Sequence, residues 1–226
     1  HQIAALGRAL QQHPVLALEM THQAIVLERG TVVHAGPSTA LAGDTALLDR
    51  LLGVGMAEAK QLPIEHPKQY DVVTGETSWA ATACTLIAGK TINELGGFDH
   101  ESFFLYCDDV DFSWRVRLAG QKVVYVPCAC AYHDKRLGGA GEWVAGAAER
   151  FYSAQAALFL SYKYSRADLT ERWLSEFEAT GDDNYLKAAS SFRERQQAGT
   201  LPTPIDPAGK VAMFVEGNYA PHRFQL

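Results

Sequence analysis

The chain has 226 residues and 47% hydrophobic content, enough to bury one good core, or a core with a helical appendage. A net charge of −6 and a pI near 5.7, with no Lys/Arg run, exclude a nucleic-acid partner, which needs a basic face. The four cysteines, at 84, 107, 128 and 130, lack zinc spacing and read as reduced cytosolic thiols. No apolar run reaches the length of a membrane span, and no stretch reads as a secretory signal.

In chain order, Ile3, Leu6 and Leu10 before His13-Pro14 predict a helix, and 15–19 predicts a strand. The runs 24–27 and 31–34, separated by Glu28-Arg29-Gly30, predict a hairpin with a glycine turn. An aromatic run then ends at Cys107, and a helix is expected over 109–119 with Phe112, Val116 and Ala119 on one face, Asp108 as its N-cap and Gly120 as its stop. The valine- and tyrosine-rich residues 122–126 predict a short strand ended by Pro127, and Cys128 and Cys130 would share one strand face. His133 follows just past that strand end.

Gly138-Gly139-Ala140-Gly141 reads either as a plain linker or as a loop able to close over a bound substrate. Helices are expected over 142–164, 167–179 and 183–197, with aromatic and leucine positions at helical spacing that suit packing against a sheet or a second subunit. The segment 200–207 carries three prolines and reads as an extended connector; 211–215 suits a short strand or helical turn before Tyr219 to Phe224. There are no internal repeats.

The chemistry concentrates in one block. Asp108, Asp109 and Asp111 open a helix whose positive end keeps carboxylates ionised, as either a proton-accepting base or a metal neighbour requires. Asp108 with Asp111 also reads as a capping-box variant, and Asp111 faces Arg115 one turn on. A lone histidine such as His133 suits a surface or core position as well as a ligand. Trp79 suits a core, and Phe103, Phe104 and Tyr106 include core residues.

The motifs in order are Gly96-Gly97-Phe98-Asp99, the pair Phe103-Phe104, Asp108-Asp109-Val110-Asp111, a helix carrying Arg115, Tyr125-Val126-Pro127, and His133. Over about 74–136 this run resembles the acceptor-side half of the inverting family-two glycosyltransferases with the GT-A fold, particularly bacterial rhamnosyl- and galactofuranosyltransferase-like enzymes. The first acid of the pair is often Glu in that family; here it is Asp108.

The resemblance implies an α/β fold: a GT-A-type, Rossmann-like mixed sheet with flanking helices, incomplete at its N-terminus, plus a C-terminal helical extension. The corresponding divisions are 1–137 for the acceptor-side catalytic half, 138–199 for the helical extension and 200–226 for an extended tail. It assigns Asp109 as catalytic base, Asp108 and Trp79 to acceptor binding, and His133 to a divalent metal, Mn²⁺ or Mg²⁺, holding the donor diphosphate. Asp111, Arg115 and Asp99 become structural neighbours of the site. Asp109-Val110-Asp111 is not the family's Asp-x-Asp metal motif, because that motif ends an earlier strand and this cluster opens a helix.

The implied enzyme is a metal-dependent hexosyltransferase working from a nucleotide sugar on a saccharide or lipid-linked glycan in cell-surface polysaccharide synthesis. Its expected location is cytoplasmic, or peripheral at the inner face of the membrane, with membrane-surface or homo-oligomer contact through the helices. Upstream of Thr74 there is no Asp-x-Asp and no alternating βαβ set, so the sequence reads as a piece starting midway through a catalytic domain. Such a piece alone is expected to transfer sugar poorly or not at all. The alternative is a non-catalytic carbohydrate-binding or assembly module that keeps only the acceptor cleft. A prenyl-transfer diphosphate cluster is set aside, because such sites sit on facing helices and strands flank this one.

Overall fold

The computed structural model describes residues 22–28, 31–44, 53–67, 69–133 and 145–220. By internal contacts the chain falls into two units, 1–54 and 55–226. The helix and strand expected within 3–19, the glycine-rich joint at 138–141 and the residues after 220 lie outside the described residues.

The first unit contains the expected hairpin. Strand β1 (Gln23–Glu28) pairs antiparallel with β2 (Thr31–Pro37), Glu28 opposite Thr31, with a bulge between Val26 and Leu27 that increases the local twist. A short helix, α1 (Ser38–Gly43), follows and buries Leu41.

The second unit holds a three-stranded mixed sheet in the order β4-β3-β5, with helices packed around it. Strand β3 (Val54–Leu62) runs antiparallel to β4 (Thr85–Ile87), which is followed by α2 (Gly89–Leu95). Helix α3 (Asp108–Leu118) leads into β5 (Lys122–Tyr132), whose end meets the end of β3 where His133 N donates to Leu62 O at 2.8 Å. The other edge of β5 is bordered by 75–77: Tyr125 N donates to Gly75 O at 2.8 Å and Thr77 N to Val123 O at 2.9 Å. At Gly55 an added Cβ would run into the side chains of Val116 and Gln121, so glycine lets β3 start close against the end of α3.

Strand β5 does not stop at Pro127, as the sequence suggests, but continues to Tyr132. Tyr125 N points away from β3, and the nitrogen two residues on faces the same side, so the donor that proline lacks is not one that the β3 ladder needs. Helix α3 begins at Asp108, so the N-cap is Cys107 and not Asp108. Gly120, at φ 78°, ends it as expected.

Three helices follow: α4 (Ala147–Lys163), α5 (Ala167–Ala179) and α6 (Asp183–Ala198). The α5 bounds are those read from the sequence, and α6 is one residue longer, capped by Asp182 accepting from Asn184 N at 2.8 Å and ended by Gly199 at φ 67°. These helices do not build a core of their own. Leu158, Phe159, Tyr164, Leu169, Trp173, Phe177 and Phe192 share one buried cluster with Trp79, Phe103, Cys107, Val110 and Trp114. Opposite it, Phe112 and Val116 pack with Met56, Ala80 and Val123 against the sheet. Helix α3 is therefore buried on two sides, which is why it shows apolar residues around its circumference.

The tail after 200 is ordered by its own contacts. Asp206 accepts from the backbone N of Lys210, Val211 and Ala212 at 2.7, 2.9 and 3.1 Å, and Trp173 Nε1 donates to Gly217 O at 3.0 Å. Among the described residues no helix is long and apolar enough to cross a membrane.

Candidate active site

The chain reaches the start of α3 through two non-glycine residues in the left-handed region, Tyr106 at φ 66° and Cys107 at φ 59°. That conformation costs about 1–2 kcal/mol per residue, and here it is held because Cys107 is buried in the core and its carbonyl accepts from Asp111 N at 2.8 Å. The turn delivers Asp108, Asp109 and Asp111 into the first helical turn with no side chain capping the helix. The helix end meets its need for negative charge from these carboxylates.

The three acids have separate environments. Burial pushes the Asp108 carboxyl up, against backbone N–H groups of Asp108 and Asp109 that favour its charge, and the Asp111 charge adds to the rise. Asp109 is half-buried; its Oδ1 accepts from Val110 N at 2.8 Å, and its carbonyl accepts from Ser113 Oγ at 2.7 Å. Asp111 is 0% exposed and lies inside an ionic cluster.

In that cluster Arg115 Nε donates to Asp111 Oδ2 at 2.9 Å, the one-turn pairing expected from the sequence. Lys163 of α4 reaches Asp111 Oδ1 at 2.7 Å and Asp99 Oδ2 at 2.8 Å. Tyr164 donates its hydroxyl to Asp111, 3.2 Å from Oδ1, and burial with the Asp111 charge pushes that hydroxyl far up, so it stays a donor. Burial alone would raise Asp99, but hydrogen bonds from Lys163 and Ser102 hold it below the usual carboxylate range. Arg115 also donates to Leu95 O at 2.9 Å and Gly97 O at 2.6 Å, pinning a turn in which Gly96 and Gly97 both sit at φ 75°. Lys163 and Tyr164 did not stand out in the sequence; the signal is a lysine flanked by tyrosines at the end of an otherwise apolar helix.

Trp79 is 4% exposed, edge-on to Tyr219 with centroids 5.2 Å apart and to His66 at 5.8 Å, so it is packed in the core and presents no open ring face. Its neighbour Ala80 donates its N–H to Ser113 Oγ at 3.0 Å, which ties this segment to α3. Phe103 is buried while Phe104 is exposed.

His133 is exposed, and its Nδ1 lies 2.9 Å from Gln61 Oε1. Among the described residues no group of three His, Cys, Asp or Glu could hold a metal ion. A groove of about 340 Å³ lies by the opposite end of α3, bordered by Tyr70, Asp71, Glu76, Arg117 and Lys122, and includes none of the residues expected at the site.

Over part of its length the chain is similar to sugar-transferring enzymes of one kind, the rhamnosyltransferases. It is 40% identical over 57 residues to the N-acetylglucosaminyl-diphospho-decaprenol L-rhamnosyltransferase of Mycobacterium tuberculosis, in both strain CDC 1551 / Oshkosh and strain H37Rv, a match covering 25% of this chain and 18% of each relative. It is 33% identical over 74 residues to rhamnosyltransferase WbbL of Escherichia coli K12, covering 31% of this chain and 28% of that protein. The chain thus spans less than a third of the length of these curated relatives. No family model and no solved structure matches it.

Proposed function

We propose that this chain carries the acceptor-side part of an inverting glycosyltransferase, which moves a hexosyl group from a nucleotide sugar to a saccharide or lipid-linked glycan of a cell-surface polysaccharide. The observation that carries the reading is the placement of Asp109, half-buried in the first turn of α3 at the positive end of the helix. Asp111, two residues on, is held by Arg115, Lys163 and Tyr164 inside the protein. The partial likeness to rhamnosyltransferases supports it.

In this reading Asp109 accepts the proton of the acceptor hydroxyl as that oxygen forms its bond to the anomeric carbon. The bond from the anomeric carbon to the diphosphate oxygen breaks on the opposite face, the nucleoside diphosphate leaves with the electron pair, and the configuration inverts. Asp108 orients the acceptor by accepting from a neighbouring hydroxyl. Trp79 contributes by supporting the segment beside α3 from within the core. His133 is the residue that would hold a divalent cation, Mn²⁺ or Mg²⁺, which when bound neutralises charge on the departing diphosphate.

The test is nucleoside diphosphate release from a panel of nucleotide sugars, with Mn²⁺, Mg²⁺ or EDTA, with and without saccharide acceptors. Acceptor-dependent release supports the transferase. Acceptor binding with no release from any donor, by this chain or by the longest natural chain that contains it, would instead mark a carbohydrate-binding module.

A further inference from the structure

The groove at the C-terminal end of α3 has a volume of about 340 Å³, room for a small ligand, and the chemistry assigned to the acidic start of that helix makes no use of it. Its walls are fixed from several directions. Thr77 N donates to Val123 O at 2.9 Å and Thr77 Oγ1 to Gln69 O at 2.8 Å, which ties the segment 69–77 to β5. Asp71 Oδ1 accepts from Val73 N at 2.9 Å and Thr74 N at 2.6 Å, closing the turn at the rim. The groove is therefore formed before any ligand arrives.

The charges lining it are unevenly matched. Glu76 pairs with Lys122, Oε1 to Nζ at 3.1 Å. Arg117, half-buried in the last turn of α3, donates from Nη1 to Val211 O at 2.6 Å, and among the described residues no carboxylate forms an ion pair with it. Burial pushes its guanidinium down, while the charges of Glu76 and Asp206 act on it through space in the opposite sense. The negative end of α3 offsets part of the charge. A guanidinium, however, carries five donors in a planar fork that matches the paired oxygens of an oxyanion, and the Val211 carbonyl occupies one of them.

We propose that this groove binds a small ligand through an oxyanion, a phosphate ester or a carboxylate, held by the guanidinium fork of Arg117. Both groups present the same pair of oxygens to a guanidinium. Lys122 has a part in the site, because Glu76 is the lining carboxylate whose charge reaches Arg117 and is therefore the competitor for the fork. The ion pair with Lys122 keeps Glu76 engaged and leaves Arg117 to the ligand. The site lies at the opposite end of α3 from Asp109, and nothing in it depends on sugar transfer.

The experiment follows the Nε–Hε resonance of Arg117 in the ¹⁵N-labelled 226-residue chain during titration with inorganic phosphate and, separately, with acetate, at ionic strength held constant with sodium chloride. The expected result is a saturable shift of Arg117, lost in Arg117→Gln when read from neighbouring backbone amides. Saturation by phosphate alone assigns a phosphate ester, and saturation by acetate assigns a carboxylate. Glu76→Gln removes the competitor and should tighten binding roughly three- to tenfold, whereas Lys122→Met releases Glu76 toward Arg117 and should weaken it by a similar factor. A linear response that never saturates means an adventitious ion only and overturns the proposal. So does an affinity that Glu76→Gln and Lys122→Met leave unchanged, a test that stands even if Arg117→Gln does not fold.

Discussion

Lys163 Nζ lies 2.7 Å from Asp111 Oδ1, joining the last turn of α4 to the first turn of α3. The same ammonium holds Asp99 at 2.8 Å, so one cation fixes the Gly-Gly-Phe-Asp turn and the acidic helix start together. Its side chain is 8% exposed and that of Asp111 is 0% exposed, where removing one partner leaves a buried charge poorly compensated. Lys163→Met is expected to lower unfolding free energy by about 3–5 kcal/mol, read from urea midpoints. A change below about 1 kcal/mol would show that Arg115 and Tyr164 suffice to hold Asp111.

The pH dependence of stability follows from the same residues with opposite signs. Asp99 and Asp206 are held below their usual range in the fold, so their contribution is present above the unfolded carboxylate pKa and is lost as pH falls through the lowered folded values. Asp108 is raised, so its contribution is complete below the ordinary Asp range and is lost as pH rises through the folded value. Stability should therefore fall on acidification below about pH 4, with a shallower fall in Lys163→Met, which removes the Asp99 partner. Asp108→Asn should equal or exceed the wild type in stability near neutral pH. Denaturant midpoints across pH for the three proteins check all of this.

Trp79 distinguishes a core role from a sugar platform. Buried between Tyr219 and His66, it should cost about 3–5 kcal/mol when truncated in Trp79→Ala, with Trp79→Phe recovering much of the loss. If Trp79→Ala instead leaves stability unchanged and weakens acceptor binding, the ring belongs to the binding surface.

Local signals were legible and long-range pairings were not. The bounds of α5 and the end of α3 at Gly120 follow from helical periodicity and a glycine stop, and the Asp111–Arg115 pair from one-turn spacing. The start of α3 was misread because Tyr106 and Cys107 take left-handed backbone angles with no glycine to announce them. The extent of β5 was misread because a proline is tolerated where its missing donor faces away from the neighbouring strand. Lys163 and Gln61 act on residues far away in sequence, and no spacing rule joins a lysine at the end of one helix to the acids at the start of another. In the candidate site, the acidic helix start was visible as a pattern; which acid the interior consumes required the packing of α4.

The central claim rests on Asp109, and its most direct measurement is nucleoside diphosphate release with and without Asp109→Asn, in these 226 residues and in the longest natural chain that contains them. Asparagine can still accept from Val110 N, so the variant should fold with stability within about 1 kcal/mol of wild type. The account predicts little or no release by the 226 residues alone, and acceptor-dependent release by the longer chain that falls about 100- to 10,000-fold in the variant. Release that is undiminished in a folded Asp109→Asn protein would contradict it.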